Sequence, residues 1–446
     1  MPMKTSLLTR RSFVGRAAAA AVAFPMVSRL RVLGANDRLN VASVGVGGKG
    51  GTDVTMVGGE NIVGLCDVDA GRLGQMGARF GAARRFADWR EMFDVLGSGF
   101  DAVTVSTPDH MHFAPAMAAL KLGKHVYCQK PLTHTVAEAR ALTEAARKAG
   151  VATQMGNQAM GHGPLRREAE LVRAGVLGKL REVPAWTDRP GAFWRQGLQR
   201  PPATGQAPGG LSWDLWLGVA PRRPYAPGYH PFAWRGFWDF GTGALGDMGC
   251  HLVNILALAF HLRDPLTVEA QSAGGSDESA PLWSMVTYQF GASPAGLGRP
   301  AQPAFKMVWH DGGSRPDPSL YGGDLAMANG IVLVGDRDTL VTSYEGVGRF
   351  LSGAKVSDFK EVPEVYGKRP DWEPGHYAEW IAACKGGKTP PASRFDVAGP
   401  VTEAVLLGNV AIRSGRTLRW DARRMRTGDK AADGLLAKKY PAGWRV

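Results

Sequence analysis

Leu39-Asn40-Val41-Ala42-Ser43-Val44-Gly45-Val46-Gly47-Gly48-Lys49-Gly50 decides the fold of this 446-residue chain. An apolar run, about Leu39 to Val44, feeds a Gly-x-Gly-x-x-Gly turn that opens a helix. In such a turn the first glycine permits the tight bend. The second lets a pyrophosphate approach the backbone, and the third lets helix and strand pack closely. Free amides at the helix start meet phosphate oxygens, and the helix dipole adds to the attraction. Gly45, Gly47, Gly48 and Gly50 are therefore candidate cofactor-binding residues. In a chain with 59 glycines the motif is weak alone, and its context gives it weight. A second apolar strand, Asn61–Leu65, ends at Cys66-Asp67. Asp67 stands where an acid grips the ribose hydroxyls, and Asp69 is close enough to share that role. A carboxylate there repels a 2′-phosphate and favours NAD over NADP.

Working outward, a third strand-like run, Ala102–Ser106, ends at Thr107-Pro108-Asp109-His110-Met111-His112. A fourth, Lys124–Cys128, ends at Gln129-Lys130-Pro131. Helical runs, including Phe113–Leu122 and Val136–Ala149, separate them. The alternation predicts an α/β fold with a doubly wound parallel sheet whose loops converge at the carboxyl edge. After Asn157 it stops. A helix over Leu165–Ala174 and a strand over Leu180–Trp186 lead into an aromatic, proline-rich stretch. Here Phe193-Trp194-Arg195, Trp213, Trp216, Tyr225, Tyr229-His230 and Trp234-Arg235 crowd together. Ring faces suit the C–H surfaces of sugars and polar tips suit their hydroxyls, although each aromatic could equally pack a loop-rich region. Next comes Asp247-Met248-Gly249-Cys250-His251. Asp247 and His251, four apart, share one face of a helix, where a carboxylate can orient an imidazole as a general base. A metal site would need a third ligand that the sequence does not provide. Strands are expected at 267–272, 283–290, 305–310, 331–335 and 339–344, and helices at 376–385 and 397–413. They imply a second, α+β domain with a largely antiparallel open sheet.

The formal charge of +13 resembles a nucleic-acid signal until it is partitioned. Lys4, Arg10, Arg11, Arg16, Arg29 and Arg31 sit in residues 1–35 without an acid. The remaining excess forms no basic block, which argues against a nucleic-acid partner. Arg10-Arg11 ahead of the mild apolar stretch 17–24 fits a twin-arginine signal peptide. Export to the periplasm, through the twin-arginine machinery and without a stable membrane anchor, is the expectation. Four scattered cysteines support neither a disulfide framework nor a zinc site. The expected organisation is a signal peptide at 1–35, a Rossmann-type NAD-binding domain at 36–156, and a substrate and oligomerisation domain at 157–446.

Gly45–Gly50, Thr107–His112, Tyr127–Thr135, Gly156-Asn157-Gln158 and above all Trp234–His251 resemble the Gfo/Idh/MocA oxidoreductases, in the branch with a bacterial-type C-terminal domain. The resemblance covers essentially the whole mature chain. It implies an NAD(H)-dependent enzyme acting on a CH–OH group of a sugar or cyclic polyol, built as a homodimer or homotetramer. Lys130, Asp247 and His251 become the catalytic candidates. Thr107, Pro108, His112, Gln129 and Lys130 join the cofactor-binding residues, with His110 an alternative to His112 at the nicotinamide edge. Asn157, Trp194, Arg195, Tyr229, Trp234, Arg235 and His251 are the substrate-binding candidates, and no metal is expected. The family motif before the proline is Glu-Lys-Pro, whereas this chain has Gln129. An amide cannot hold Lys130 protonated by charge, so Lys130 is expected to titrate more easily. A rival activity is NAD-dependent glycoside hydrolysis through transient oxidation, elimination, hydration and re-reduction. A rival of another class is a non-catalytic sugar-binding protein. Export away from free nicotinamide cofactor implies that NAD is held tightly.

Overall fold

Strand β1 (Asn40–Val44), nearly all of it buried, lies at the centre of the first sheet, between β2 (Asn61–Cys66) and β4 (Ala102–Val105). The computed structural model describes residues 37–296, 299–323, 326–367 and 372–445. The signal peptide expected at residues 1–35 lies outside the described residues. With β3 (Arg84–Phe86), β5 (His125–Gln129) and β6 (Thr153–Gly156) the sheet has six parallel strands in the order β3-β2-β1-β4-β5-β6. Parallel strands covered on both faces read as continuous apolar runs rather than alternating ones, which is why β1, β4 and β5 were visible in the sequence. Helices α1 (Lys49–Met56), α2 (Ala70–Arg79), α3 (Trp89–Leu96), α4 (Phe113–Lys121) and α5 (Val136–Ala149) provide the connections. Their starts follow from local chemistry. Asp69 and Asp88 accept backbone N–H bonds at the caps of α2 and α3, and Thr135 with Glu138 forms a capping box on α5.

The sequence reading missed β3 and β6, and for a physical reason. Arg84-Arg85-Phe86 has two exposed side chains. In β6 the polar side chains are satisfied by distant chain: Thr153 Oγ1 accepts from Phe395 N at 3.0 Å, and Gln154 Nε2 donates to His376 O at 2.6 Å. Tertiary partners, absent from any local pattern, make these residues strand.

Beyond β6 the chain forms α6 (Gly163–Arg173), β7 (Glu182–Trp186), α7 (Trp213–Leu217), α8 (Gly243–Leu252) and α9 (Asn254–Phe260). Seven further strands follow, namely β8 (Pro265–Ala273), β9 (Trp283–Phe290), β10 (Phe305–His310), β11 (Gly330–Val334), β12 (Thr339–Thr342), β13 (Arg349–Phe350) and β14 (Leu418–Arg419). They join β7 in a second sheet ordered β13-β12-β11-β7-β10-β9-β8-β14. Its pairings are antiparallel except β10 with β7.

Two late helices return to the first sheet. Tyr377 and Trp380 of α10 (Trp372–Cys384) pack with Tyr127 of β5, the two tyrosine rings stacked at 4.8 Å. Helix α11 (Phe395–Ser414) packs against α5 and β6 on one side and α8, β8 and β9 on the other. Among the described residues it is the one single helix long and apolar enough to cross a membrane, but 83% of its apolar window is buried inside the protein. It is a core helix. A short α12 (Lys430–Asp433) precedes the last described residues. All four cysteines are buried and unpaired.

Candidate active site

The carboxyl ends of five strands open onto one cleft of about 390 Å³, walled on its other side by chain from residues 215–247. This is the crevice where open α/β sheets place ligands. At its floor Gly45 has φ +79°, and a Cβ there would stand 2.6 Å from Ser106 O. A Cβ on Gly50 would stand 2.0 Å from Gly45 O. These two glycines let α1 and the turn close on β4. Gly48, at φ +55°, has open space where a Cβ would be and lines the cleft.

Asp67 works harder than its motif role suggests. Its Oδ2 accepts from Val46 N at 2.9 Å and Gly47 N at 3.1 Å, and its Oδ1 accepts from Asp69 N at 3.0 Å. Burial pushes its carboxyl up, and these amides pull it back. A carboxylate offers about four lone-pair sites, which leaves room for a ribose hydroxyl. Two polar atoms on side chains of the cleft wall, Thr107 Oγ1 and Trp89 Nε1, are buried without a hydrogen-bond partner. Open glycine backbone, a ribose-side carboxylate and orphaned donors together fit a dinucleotide.

At the other end of the cleft Lys130 Nζ donates to Asp247 Oδ1 and to Asp247 O, both at 2.7 Å. Arg235 Nε reaches the same Oδ1 at 3.4 Å. The Arg235 guanidinium is held between the rings of Phe232 and Trp234, 4.1 and 4.3 Å from their centroids. Gly241 permits that packing, because a Cβ on it would lie 2.6 Å from Arg235 Cα. Burial alone would raise the Asp247 carboxyl, but Lys130 and Arg235 bring it down to about 2.

This geometry corrects two expectations. Asp247 does not orient His251: its carboxylate is drawn to two cations, and no hydrogen bond or ion pair joins it to the ring. His251 is one turn further along α8, its Nδ1 buried without a partner and its ring 5.7 Å from that of Tyr344. Burial, with Lys130 nearby, pushes the imidazole down to about 3, against the pull of Asp247. The ring is therefore neutral. Nor does the loss of the motif glutamate leave Lys130 without a counter-charge, because Asp247 supplies one. The Gln129 amide faces elsewhere, donating to both oxygens of Asp53 on α1 at 2.9 and 2.8 Å.

The other candidates divide by position. Pro108, Thr107, His112, Gln129, Trp234 and Arg235 line the cleft. His112 sits between Pro131 O and Thr107 O at 2.7 and 2.8 Å, tying two strand-end loops together. His110 is instead buried behind the wall, bonded to Trp216 O and Phe240 O. Five substrate candidates are not among the residues that line the cleft: His251, described above, and four others. Asn157 is a buried strut between Asn254 and Ser393. Trp194 is buried with its Nε1 donating to Gln196, and Arg195 is exposed. Tyr229 is fully buried, accepting from Arg223 and packing on Phe237 and Phe240. Aromatic crowding in sequence did not separate wall from core, since both bury rings. Sequence reasoning also missed Arg72, which lines the cleft, and Asp53, the buried partner of Gln129; an acid one turn after Gly50 was the available signal for the second.

Fold and cleft define a two-domain protein with a Rossmann-type nucleotide domain. The chain belongs to the Gfo/Idh/MocA family: the family model described as an oxidoreductase-family NAD-binding Rossmann fold matches residues 39–157, and the C-terminal alpha/beta domain model matches 167–294. A levoglucosan dehydrogenase of Pseudarthrobacter phenanthrenivorans is 25% identical over 177 residues, 40% of this chain and 37% of that protein. Inositol 2-dehydrogenase 1 of Saccharopolyspora erythraea is 38% identical over 105 residues, 22% of this chain and 31% of that protein. The chain thus aligns with about a third of the length of these curated relatives. In fold it resembles the WlbA dehydrogenase of Bordetella pertussis, solved with NADH and UDP-GlcNAcA, at a TM-score of 0.58 and 18% identity over 86% of this chain and 99% of that one.

Proposed function

We propose that the protein is an NAD(H)-dependent oxidoreductase acting on a CH–OH group of a sugar or cyclic polyol. The observation that carries this reading is the Lys130–Asp247–Arg235 cluster, set in the same cleft as the glycine turn. A bound nicotinamide would supply the hydride acceptor or donor. Lys130, held by Asp247, donates a hydrogen bond to the reacting oxygen and stabilises the negative charge that develops there. His251, neutral and one turn beyond Asp247 on α8, accepts the hydroxyl proton in the oxidative direction through the ring nitrogen that burial does not seal. Asp247 stays ionised throughout and keeps the ammonium in place. Trp216, Phe232 and Trp234 give the wall ring surface for C–H faces. Asp67 favours NAD over NADP by repelling a 2′-phosphate. The relatives named for levoglucosan and inositol agree with a polyhydroxylated ring as substrate.

The test is to purify the protein, ask whether NAD co-purifies, and screen free sugars, polyols and glycosides by product analysis. Stoichiometric ketone with NADH supports the reading. Glycoside cleavage with catalytic NAD would replace it by the redox-cycling hydrolase. Lys130→Ala and His251→Ala should each lower turnover by about 10²-fold or more while NAD still binds. Unchanged turnover in either variant would remove that residue from the mechanism.

A further inference from the structure

A dinucleotide laid across the strand ends meets the glycine turn after β1, then Asp67 after β2, then the chain after β3. Strands lie about 4.8 Å apart, so the last position is about 10 Å from the turn, on the side where the ribose carboxylate points. The cleft wall there consists of Ala87, Asp88 and Trp89, joined by Trp444 from the far end of the sequence. Trp444 is 4% exposed. It is held by Arg90 in the first turn of α3, whose guanidinium carbon lies 4.1 Å from the indole centroid and whose Nη1 donates to Gly443 O at 3.1 Å. Arg90 is itself fixed by Asp88, with Nε 3.0 and 3.1 Å and Nη2 2.6 Å from the carboxylate oxygens. Beside them the Trp89 Nε1–H is buried with no acceptor, a donor suited to a ring nitrogen of a base.

We infer that Trp444, pinned by Arg90, is a binding residue for the adenosine half of the cofactor, and that the segment 441–445 closes that end of the cleft. The inference rests on the NAD reading above. The part of the indole that reaches the cleft wall gives a purine an apolar contact, and base–aromatic contacts are worth on the order of ten-fold in affinity when the ring is removed. A tail placed only to cover the core would bury Trp444 without adding to this wall. Here the same ring meets Arg90 and the cleft.

The experiment titrates AMP, NAD and nicotinamide mononucleotide into the wild type and into Trp444→Ala, Trp444→Phe and Arg90→Ala, by calorimetry, with ligand-free melting as the folding control. Trp444→Ala and Arg90→Ala should weaken AMP and NAD by about ten-fold and leave nicotinamide mononucleotide unaffected, while Trp444→Phe keeps most of the affinity. Should Trp444→Ala misfold, the Phe and Arg90 variants decide. Wild-type affinity for AMP in Arg90→Ala and Trp444→Ala, or equal weakening of all three ligands, overturns the inference and leaves the NAD reading intact. A wild type that binds neither NAD nor AMP overturns both.

Discussion

Gln129→Glu should destabilise the protein at pH 7 by about 3–4 kcal/mol, although it restores the residue the family motif carries. The reason is Asp53, fully buried on α1, which accepts from Gln129 Nε2 at 2.9 and 2.8 Å, from Ser106 Oγ at 2.5 Å and from the Tyr377 hydroxyl. Burial pushes its carboxyl up, and these donors with Lys49 work against that rise. A glutamate in place of Gln129 would set carboxylate against carboxylate, and two that close cannot both ionise. One must hold a proton at pH 7 although its unfolded pKa is about 4.3, which costs about 1.36 kcal/mol for each of about 2.7 pH units, or about 3.7 kcal/mol. The sign is fixed by linkage. The folded pKa is raised above about 7, so the deficit relative to wild type grows as pH rises from about 4.3 through about 7 and fades below about pH 4.3, where the unfolded chain is protonated too. Urea melts of wild type, Gln129→Glu, Asp53→Asn and the double variant, at pH 7 and pH 4, measure it. In the double variant the amide introduced by Asp53→Asn can donate to the carboxylate introduced by Gln129→Glu. That protein should return to within about 1 kcal/mol of wild type, a coupling the single variants do not show. A Gln129→Glu protein as stable as wild type at pH 7, or a double variant with merely additive losses, refutes the reasoning.

Acid should unfold the protein early. Burial holds His110 and His251 down to about 3, and His125, His261 and His310 down to about 4. Their unfolded counterparts titrate near 6.5. Between these values the unfolded chain binds protons that the folded one refuses, so stability falls as pH drops below about 6.5. Melting temperatures across pH 7.5 to 5 should decline, and a flat profile would contradict it. The glycine turn gives a paired contrast. Gly50→Ala forces a Cβ to 2.0 Å from Gly45 O and should abolish nucleotide binding. Gly48→Ala, with open space for a Cβ but a backbone at φ +55°, ψ −121°, should cost about 1–3 kcal/mol of backbone strain. Nucleotide titration and melting of both variants check this pair.

The nucleotide half was legible because its signal is local. Five residues of apolar strand, the spaced glycines and the acid ending the next strand are all read within one chain segment. Lys130 was legible through its strand-ending motif. What could not be read was partnership. The four-residue spacing of Asp247 and His251 put them on one face of α8, but only the fold shows that Lys130 and Arg235, 117 and 12 residues away, claim the carboxylate first. The loss of charge at Gln129 looked like a defect until Asp53 stood against it. Asn157, Trp194 and Tyr229 were chosen by chemical type, yet burial decides whether a polar or aromatic side chain serves a ligand or the core, and burial is a property of the whole chain.

Helix α11 gives the two halves a common spine. One face rests on β6 and α5, the other on α8 and the second sheet, and Asn409 on it donates to Thr242 O at 2.8 Å, just before the helix that carries Asp247 and His251. A rod shared in this way resists jaw-like opening. The cleft wall at residues 215–235 stands outside that rod, so substitutions there reshape the wall without disturbing the glycine turn.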